Sequence, residues 1–317
     1  MKSVVTLILK RIGAAALTLL LVATVVFTIT SLLPGDAAQE TLGQSATPEA
    51  VAALRAQLGL DQPAPVRYLR WLGGMLTGDP GESMTAHMPV TEVIADRLPN
   101  SLVLAGLTAA VAIPIALTIG ILAAVRRGSR LDRALSVATL AMVAVPEFVV
   151  ATVLVLIFAV TLRWLPSITM VSEEASWSDF FRGYALPVLT LCFVVIAQMA
   201  RMTRAAVIEQ LGQPYVEMAV LKGVRPRRLV LVHVLPNAIG PIVNAVAFSL
   251  SYLIGGAIIV ETIFNYPGLA SLMVNAVTSR DMPLLQACAM LFCSAYLLLV
   301  LTADVIAILA NPRLRNG

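Results

Sequence analysis

The sequence predicts an all-α membrane protein with six transmembrane helices and one sizeable insertion after the first. Three observations carry that expectation: the composition, the uncharged runs, and the uneven placement of Lys and Arg between them. Hydrophobic residues make up 59% of the 317 and charged residues 13%, with a mean hydropathy of +0.89. Soluble domains carry roughly 25% charged residues, so this composition excludes an ordinary soluble enzyme and a nucleic-acid-binding domain.

A bilayer core requires about 20 mainly apolar residues per helical span. The runs Ile12 to Gly35 and Leu98 to Val125 hold no charge, and Ala134 to Leu162 holds only Glu147. Gly183 to Ala200 is uncharged but short, so Arg201 extends it by snorkelling. Leu229 to Val260 contains only His233, and Met282 to Pro312 only Asp304. An even number of spans places both termini on one side. The first run is too long for the 7–15 residue core of a signal peptide, which predicts an uncleaved span.

Orientation follows from the flanking cations. Fifteen Lys and Arg residues fall on one side: Lys2, Lys10 and Arg11, the cluster Arg126 to Arg133, the stretch Arg201 to Arg228, and Arg313 with Arg315. Seven fall on the other: Arg55, Arg67, Arg70, Arg97, Arg163, Arg182 and Arg280. The expected organisation is a cytoplasmic N-terminus at 1–11, a first span at 12–33, an extracytoplasmic insertion at 34–97, a core at 98–310 with a cytoplasmic loop at 201–236, and a cytoplasmic C-terminus at 311–317. Within the insertion, Thr47-Pro48-Glu49 supplies an N-cap, a proline at the first helical position and an early acid, and Val66 to Leu76 reads as a second helix ended by Thr77-Gly78-Asp79-Pro80-Gly81.

Prolines and acids mark special places in the spans. Pro114 and Pro146 each remove a backbone donor and are expected to bend their helices. Glu147, beside Pro146, costs about 2.5–3.5 kcal/mol on insertion scales. It and Pro146 are therefore candidates for the lining of a translocation path, with a protonated or hydrogen-bonded buried acid as the plainer alternative. Asp304 reads as a buried carboxylate satisfied by the helix bundle or by cytoplasmic Arg residues. Cys192, Cys288 and Cys293 lie in apolar runs and read as small hydrophobes rather than as disulfides or metal ligands.

The cytoplasmic loop holds the most specific pattern. Tyr215, Met218, Ala219 and Lys222 recur at i, i+3, i+4 and i+7, which predicts a short helix after Pro214 showing them on one face, with Gly223 ending it. Glu217-x-Ala219-x-x-x-Gly223, nine further residues, and x-x-Leu235-Pro236 resemble the cytoplasmic coupling loop (the "EAA" loop) of importer-type ABC transporter permeases, with Met218 in place of a usual alanine and His233 in place of a common isoleucine. Pro34-Gly35-Asp36, Leu58 to Pro63, Tyr68 to Leu72, Arg97 to Ser101, Val260 to Leu269 and Ala310 to Arg315 resemble the corresponding parts of oligopeptide and dipeptide permeases.

That resemblance implies a type I ABC importer permease fold and an inner-membrane location. It implies a second homologous permease subunit, two ABC ATPase subunits carrying ATP and Mg, and an extracytoplasmic peptide-binding protein, with no cofactor on this chain. It also implies that Tyr215, Glu217, Met218, Ala219, Lys222 and Gly223 form the ATPase-coupling surface, and that the cargo is short peptides, with nickel or another small solute as the alternative within the family. The chain contains no Gly-Lys dipeptide, so it has no P-loop of its own and is not expected to hydrolyse ATP. A proton-coupled secondary transporter using Glu147 and Asp304 is the rival from another class. No inverted internal repeat of the kind common in such transporters is visible.

Overall fold

A computed structural model describes residues 2–32, 47–57, 61–169 and 176–310. Pro34-Gly35-Asp36, Leu58-Gly59-Leu60 and Asn311 to Arg315, which contribute to the resemblance above, lie outside the described residues. The elements are α1 (Lys2–Leu32), α2 (Pro48–Gln57), α3 (Ala64–Thr77), α4 (Val90–Val125), α5 (Arg130–Ala144), α6 (Glu147–Leu154) with a π-helical continuation Val155–Thr161, α7 (Trp177–Leu211), α8 (Pro214–Leu221), a short turn Pro226–Arg228 leading into a π-helical stretch Leu229–Val234, α9 (Leu235–Ile263), α10 (Leu269–Thr278) and α11 (Met282–Ala310).

Five helical segments are long and apolar enough to cross a bilayer: Thr6–Leu32, Val90–Val125, Trp177–Leu211, Pro226–Ile263 and Met282–Ile308. Arg130–Ala144 and Glu147–Thr161, bent by 96° at their junction, make a sixth if taken as one broken span. The all-helical architecture and the six apolar elements match the sequence expectation. Boundaries differ from it where polar residues continue an apolar helix: α4 begins at Val90, inside the expected insertion, and α7 runs from Trp177 to Leu211.

The two prolines behave differently. Helix α4 continues through Pro114, whose carbonyl accepts a hydrogen bond from the Thr118 hydroxyl at 2.7 Å. At Pro146 the helix stops. Val145 is extended, with ψ of 124°, as steric conflict with the following proline ring favours. Pro146 then opens α6, its carbonyl receiving the amides of Val149 and Val150 at 3.0 and 3.2 Å.

The chain divides into two compact units. The larger comprises Met1–Gly13, Leu102–Tyr266 and Tyr296–Gly317. Helix α7 is its centre: Leu186, Leu191, Val195, Met199, Ala200 and Val207 are all nearly inaccessible. Along α4, Leu104, Thr108, Ala112, Ala116, Gly120 and Ala124 recur every four residues and every one is buried. Small side chains on such a ridge allow close helix approach, which supplies van der Waals contact where lipid gives little hydrophobic drive. The contact with α7 is tight enough that a Cβ on Gly120 would lie 2.6 Å from the Ala200 carbonyl oxygen and 2.7 Å from Thr203 Cβ. Farther along, the Cys192 thiol reaches the Thr108 carbonyl at 3.8 Å.

Helix α5 is fixed to α7 by charge. Ser129 caps α5 by accepting the Asp132 amide at 3.1 Å, and Asp132 accepts a forked pair from Arg204, Nε to Oδ1 at 2.7 Å and Nη2 to Oδ2 at 2.9 Å. The Gly128 amide at 2.9 Å and the Ser136 hydroxyl at 3.4 Å also donate to this carboxylate. Two parallel N–H···O bonds constrain both distance and angle. Also in this unit, Arg11 pairs with Asp304 at 3.1 Å, so the carboxylate expected to be satisfied by the bundle or by an Arg has an Arg partner.

The smaller unit comprises Ala14–Ser101 and Pro267–Ala295. Thr47 accepts the Ala50 amide at 3.2 Å and so caps α2. Helix α3 packs its aromatic side on α1: Phe27 lies 5.3 Å from Tyr68 and 5.6 Å from Trp71, and the Thr24 and Tyr68 hydroxyls are 2.8 Å apart. The wholly buried Asp281, just before α11, accepts from the Ser83 hydroxyl, from the Thr85 amide at 3.1 Å and hydroxyl at 2.9 Å, and from the Leu284 amide at 3.3 Å. It thereby holds the loop of 81–90 to the start of the last helix.

Replacing Asp132 by Asn keeps the shape but removes the charge that Arg204 faces. Asp132→Asn should lower the thermal midpoint of the purified protein by several degrees, and Asp132→Asn combined with Arg204→Gln should cost less than the sum of the single changes. Strict additivity in a double-mutant cycle would show that the forked pair contributes no coupling.

Candidate coupling surface and buried carboxylate

Residues 212–224 fold as the local chemistry dictates. Gln213 is extended, Pro214 occupies the first helical position where its missing amide costs nothing, and Glu217 sits in the first turn of α8, favourably placed toward the helix dipole. The helix ends in a Schellman arrangement: the Val224 amide bonds the Ala219 carbonyl at 3.1 Å and the Gly223 amide bonds that of Val220 at 2.9 Å. Gly223 has φ of +77°, the left-handed conformation that such an end requires.

The two sides of α8 are chemically distinct. Val216 and Ala219 are buried and Tyr215 is partly so, packed with Ala124 of α4, Val207 of α7, Leu229 and Val234 of the π-helical stretch, and Ala238 of α9. The Tyr215 hydroxyl donates to Gln210 Oε1 at 3.0 Å. Glu217, Met218, Val220, Leu221 and Lys222 face outward, with Leu221 75% exposed. The expected single face of Tyr215, Met218, Ala219 and Lys222 is therefore divided. Tyr215 and Ala219 look toward the protein's own core, while Met218 and Lys222 share the open side with Glu217.

Val220 and Leu221 join this open surface although sequence periodicity did not single them out. Leu231 and Val232 are also exposed on the nearby π-helical stretch. Their signal was present: once Val216 and Ala219 at i and i+3 are assigned inward, the apolar residues at 220 and 221 have no core position left.

Glu147 stands at the other end of the argument. It opens α6 directly after Pro146, is only 7% exposed, and its Oε1 has no hydrogen-bond partner among the described residues. Its carboxylate lies against Gly256 of α9, where a Cβ would come within 2.7 Å of Oε1. Gly256 is thus the residue that lets the broken span seat its acid on the fifth span. In this conformation Glu147 is packed rather than open to a wet cavity. No group of three or more His, Cys, Asp or Glu suited to a metal occurs among the described residues, and Cys192 and Cys288 are buried free thiols.

Residues 116–316 match the family described as binding-protein-dependent transport system inner membrane component, and residues 4–105 match the N-terminal family of the same membrane components. A glutathione transport system permease protein, GsiC, of Salmonella paratyphi A is 38% identical over 308 residues, covering 97% of this chain and 98% of the relative. A putative peptide transport system permease protein of Brucella abortus is 36% identical over 309 residues, covering 98% of each. A probable peptide ABC transporter permease protein of Sinorhizobium fredii is 35% identical over 308 residues, covering 97% of this chain and 98% of the relative. Among solved structures, a chain of the MetNI methionine ABC transporter in inward-facing conformations superposes with a TM-score of 0.55 at 18% identity, covering 69% of this chain and 96% of that chain. The six apolar helical elements, the docked loop helix α8 and matches that span nearly the whole sequence identify this chain as a multi-pass inner-membrane permease of the binding-protein-dependent transport system family.

Proposed function

We propose that this permease imports short peptides as one half of a translocation pore, beside a second homologous permease, with two ABC ATPases below and an extracytoplasmic peptide-binding protein above. ATP and Mg belong to the ATPase partners. The termini and α8 lie on the cytoplasmic side, as the fifteen-to-seven division of Lys and Arg argues. The peptide cargo rests on the relatives, which are named as peptide and glutathione permeases.

The observation that carries the reading is the two-sided character of α8. Its inner side packs on residues of α4, α7 and α9 at once, so a displacement of α8 acts on three membrane helices rather than on a slack linker. Its outer side carries Glu217, Met218, Val220, Leu221 and Lys222, a small apolar patch with one charge of each sign. This is a surface suited to a groove on a soluble motor. Schellman closure at Gly223 fixes the angle at which the helix is presented. Pro146 and Glu147 remain the candidates for the path itself: a broken helix whose acid is seated on Gly256 has a second arrangement available once the two spans separate.

Three outcomes test this reading. With orientation as proposed, a cysteine at Glu217 is labelled by an impermeant maleimide only from the cytoplasmic side and one at Asp61 only from the other; the reverse pattern overturns the topology. Gly223→Val forces a β-branched residue into the left-handed region at a cost of about 1–2 kcal/mol. It should reduce peptide uptake by the reconstituted complex at least tenfold while ATP hydrolysis persists or the ATPases detach, whereas Gly223→Asn retains most activity; normal uptake and turnover in Gly223→Val would sink the coupling role. Glu147→Gln should keep ATP-driven uptake within an order of magnitude of the parent. Complete loss of uptake with intact assembly and ATP hydrolysis would instead make the acid obligatory and favour proton coupling.

A further inference from the structure

We propose that the larger unit carries a binding cleft for the phosphate of an anionic lipid, built from Arg163, Trp164 and Arg182 where the broken span leads into α7. The cleft has a volume of about 630 Å3 and is lined by residues 159, 163–168, 179, 182 and 183. The outer leaflet follows from the orientation proposed above; the chemistry of the cleft does not depend on it.

Three independent features converge. The first is conformational. The chain leaves the π-helical stretch through Arg163, whose φ is +54°, a left-handed conformation that glycine would adopt without strain and that a long side chain adopts only against it. That conformation closes the helical stretch, the Trp164 amide bonding the Phe158 carbonyl at 2.9 Å, and it leaves Arg163 at the wall of the cleft.

The second feature is charge. Arg163 has no hydrogen-bond or ion-pair partner among the described residues. Arg182 spends Nε and Nη2 on the Trp164 carbonyl, at 3.3 and 2.8 Å, which fixes its guanidinium plane at the cleft and leaves Nη1 available. The nearest acid lining the cleft, Asp179, is engaged by the Ser176 hydroxyl at 2.6 Å and pairs with neither arginine. Two guanidinium groups with donors to spare beside one already engaged carboxylate make the cleft a receptor for an anion, and guanidinium forks match phosphate oxygens.

The third feature is the order of polarity. Trp164 is 60% exposed, and its ring lies 6.1 Å from that of Phe158. Along the preceding helical stretch the exposed residues include Val160, Ile157, Leu156 and Val153, and Ile168 of the cleft wall is exposed as well. Aliphatic surface, then an indole, then guanidinium is the sequence of environments met on passing from acyl chain to headgroup, and Trp favours that level of a bilayer. A soluble anion needs only the last of the three.

The test uses the assembled transporter in nanodiscs containing a phosphatidylglycerol that bears a diazirine high on one acyl chain, or the matched phosphatidylcholine. Photolabelling of the segment 159–168 should be at least threefold greater with phosphatidylglycerol. Arg163→Gly, which relieves the backbone and removes the guanidinium together with its aliphatic stem, should abolish that preference without lowering the thermal midpoint, and Arg163→Lys, which keeps the stem and a point charge, should retain part of it. Equal labelling by the two lipids, or an undiminished preference in Arg163→Gly, overturns the proposal. Displacement of the label by millimolar inorganic phosphate would identify a free-anion site, and displacement by a tripeptide a cargo site; either result also overturns the lipid assignment.

Discussion

The larger unit depends on how closely α4 can approach α7. In a membrane, burying apolar surface gives little net gain, because the lipid tails are as apolar as the side chains. What remains is dispersion between surfaces that fit, and that term weakens quickly with a gap of even 0.5–1 Å. The ridge of Leu104, Thr108, Ala112, Ala116, Gly120 and Ala124 supplies such a fit, closest where Gly120 meets the backbone of α7 at Ala200. Ala124 at the foot of the ridge also belongs to the cluster that seats α8. The packing that holds two spans together therefore reaches the surface on which the loop helix rests.

Polar groups fix what apolar packing leaves free to slide. Two apolar helices in contact are poorly defined in rotation and register, whereas the Arg204 fork on Asp132 admits one geometry. The smaller unit uses the same device with a single carboxylate, as Asp281 gathers Ser83, Thr85 and Leu284 and leaves the intervening loop little freedom. Both acids lie at helix ends, where free amides are available to share the negative charge.

Much of this was legible in the sequence because lipid restricts the choices. Long uncharged runs in a bilayer become helices, so the all-helical class and the apolar spans followed from composition and spacing alone. The end of α8 was legible for a different reason: a glycine after a periodic run admits a left-handed residue, and Gly223 takes that conformation. The inward turn of Ala219 was not legible, because periodicity identifies a stripe without saying which side docks on the chain itself. Nor was the right-angled break at Pro146, since Pro114 has the same local chemistry and its helix continues. Asp132 was hidden among four arginines, and only the fold selects Arg204, 72 residues away, as its partner.

The break at Pro146 has a consequence for solvation. At the end of α5 the last carbonyls lose their intrahelical donors, and the chain resumes only through a proline that has no N–H to offer. Hydrocarbon does not accommodate such groups; irregular backbone at membrane depth survives only against protein or water. Val143, Ala144, Pro146 and Phe148 at the junction of α5 and α6 are exposed in the single chain, so the free carbonyls there call for protein or water beside them rather than lipid tails. Amide protons on the far side of the junction, near Phe148, belong to the first turn of a new helix and are freer to exchange with solvent deuterium than those in the uninterrupted middle of α7.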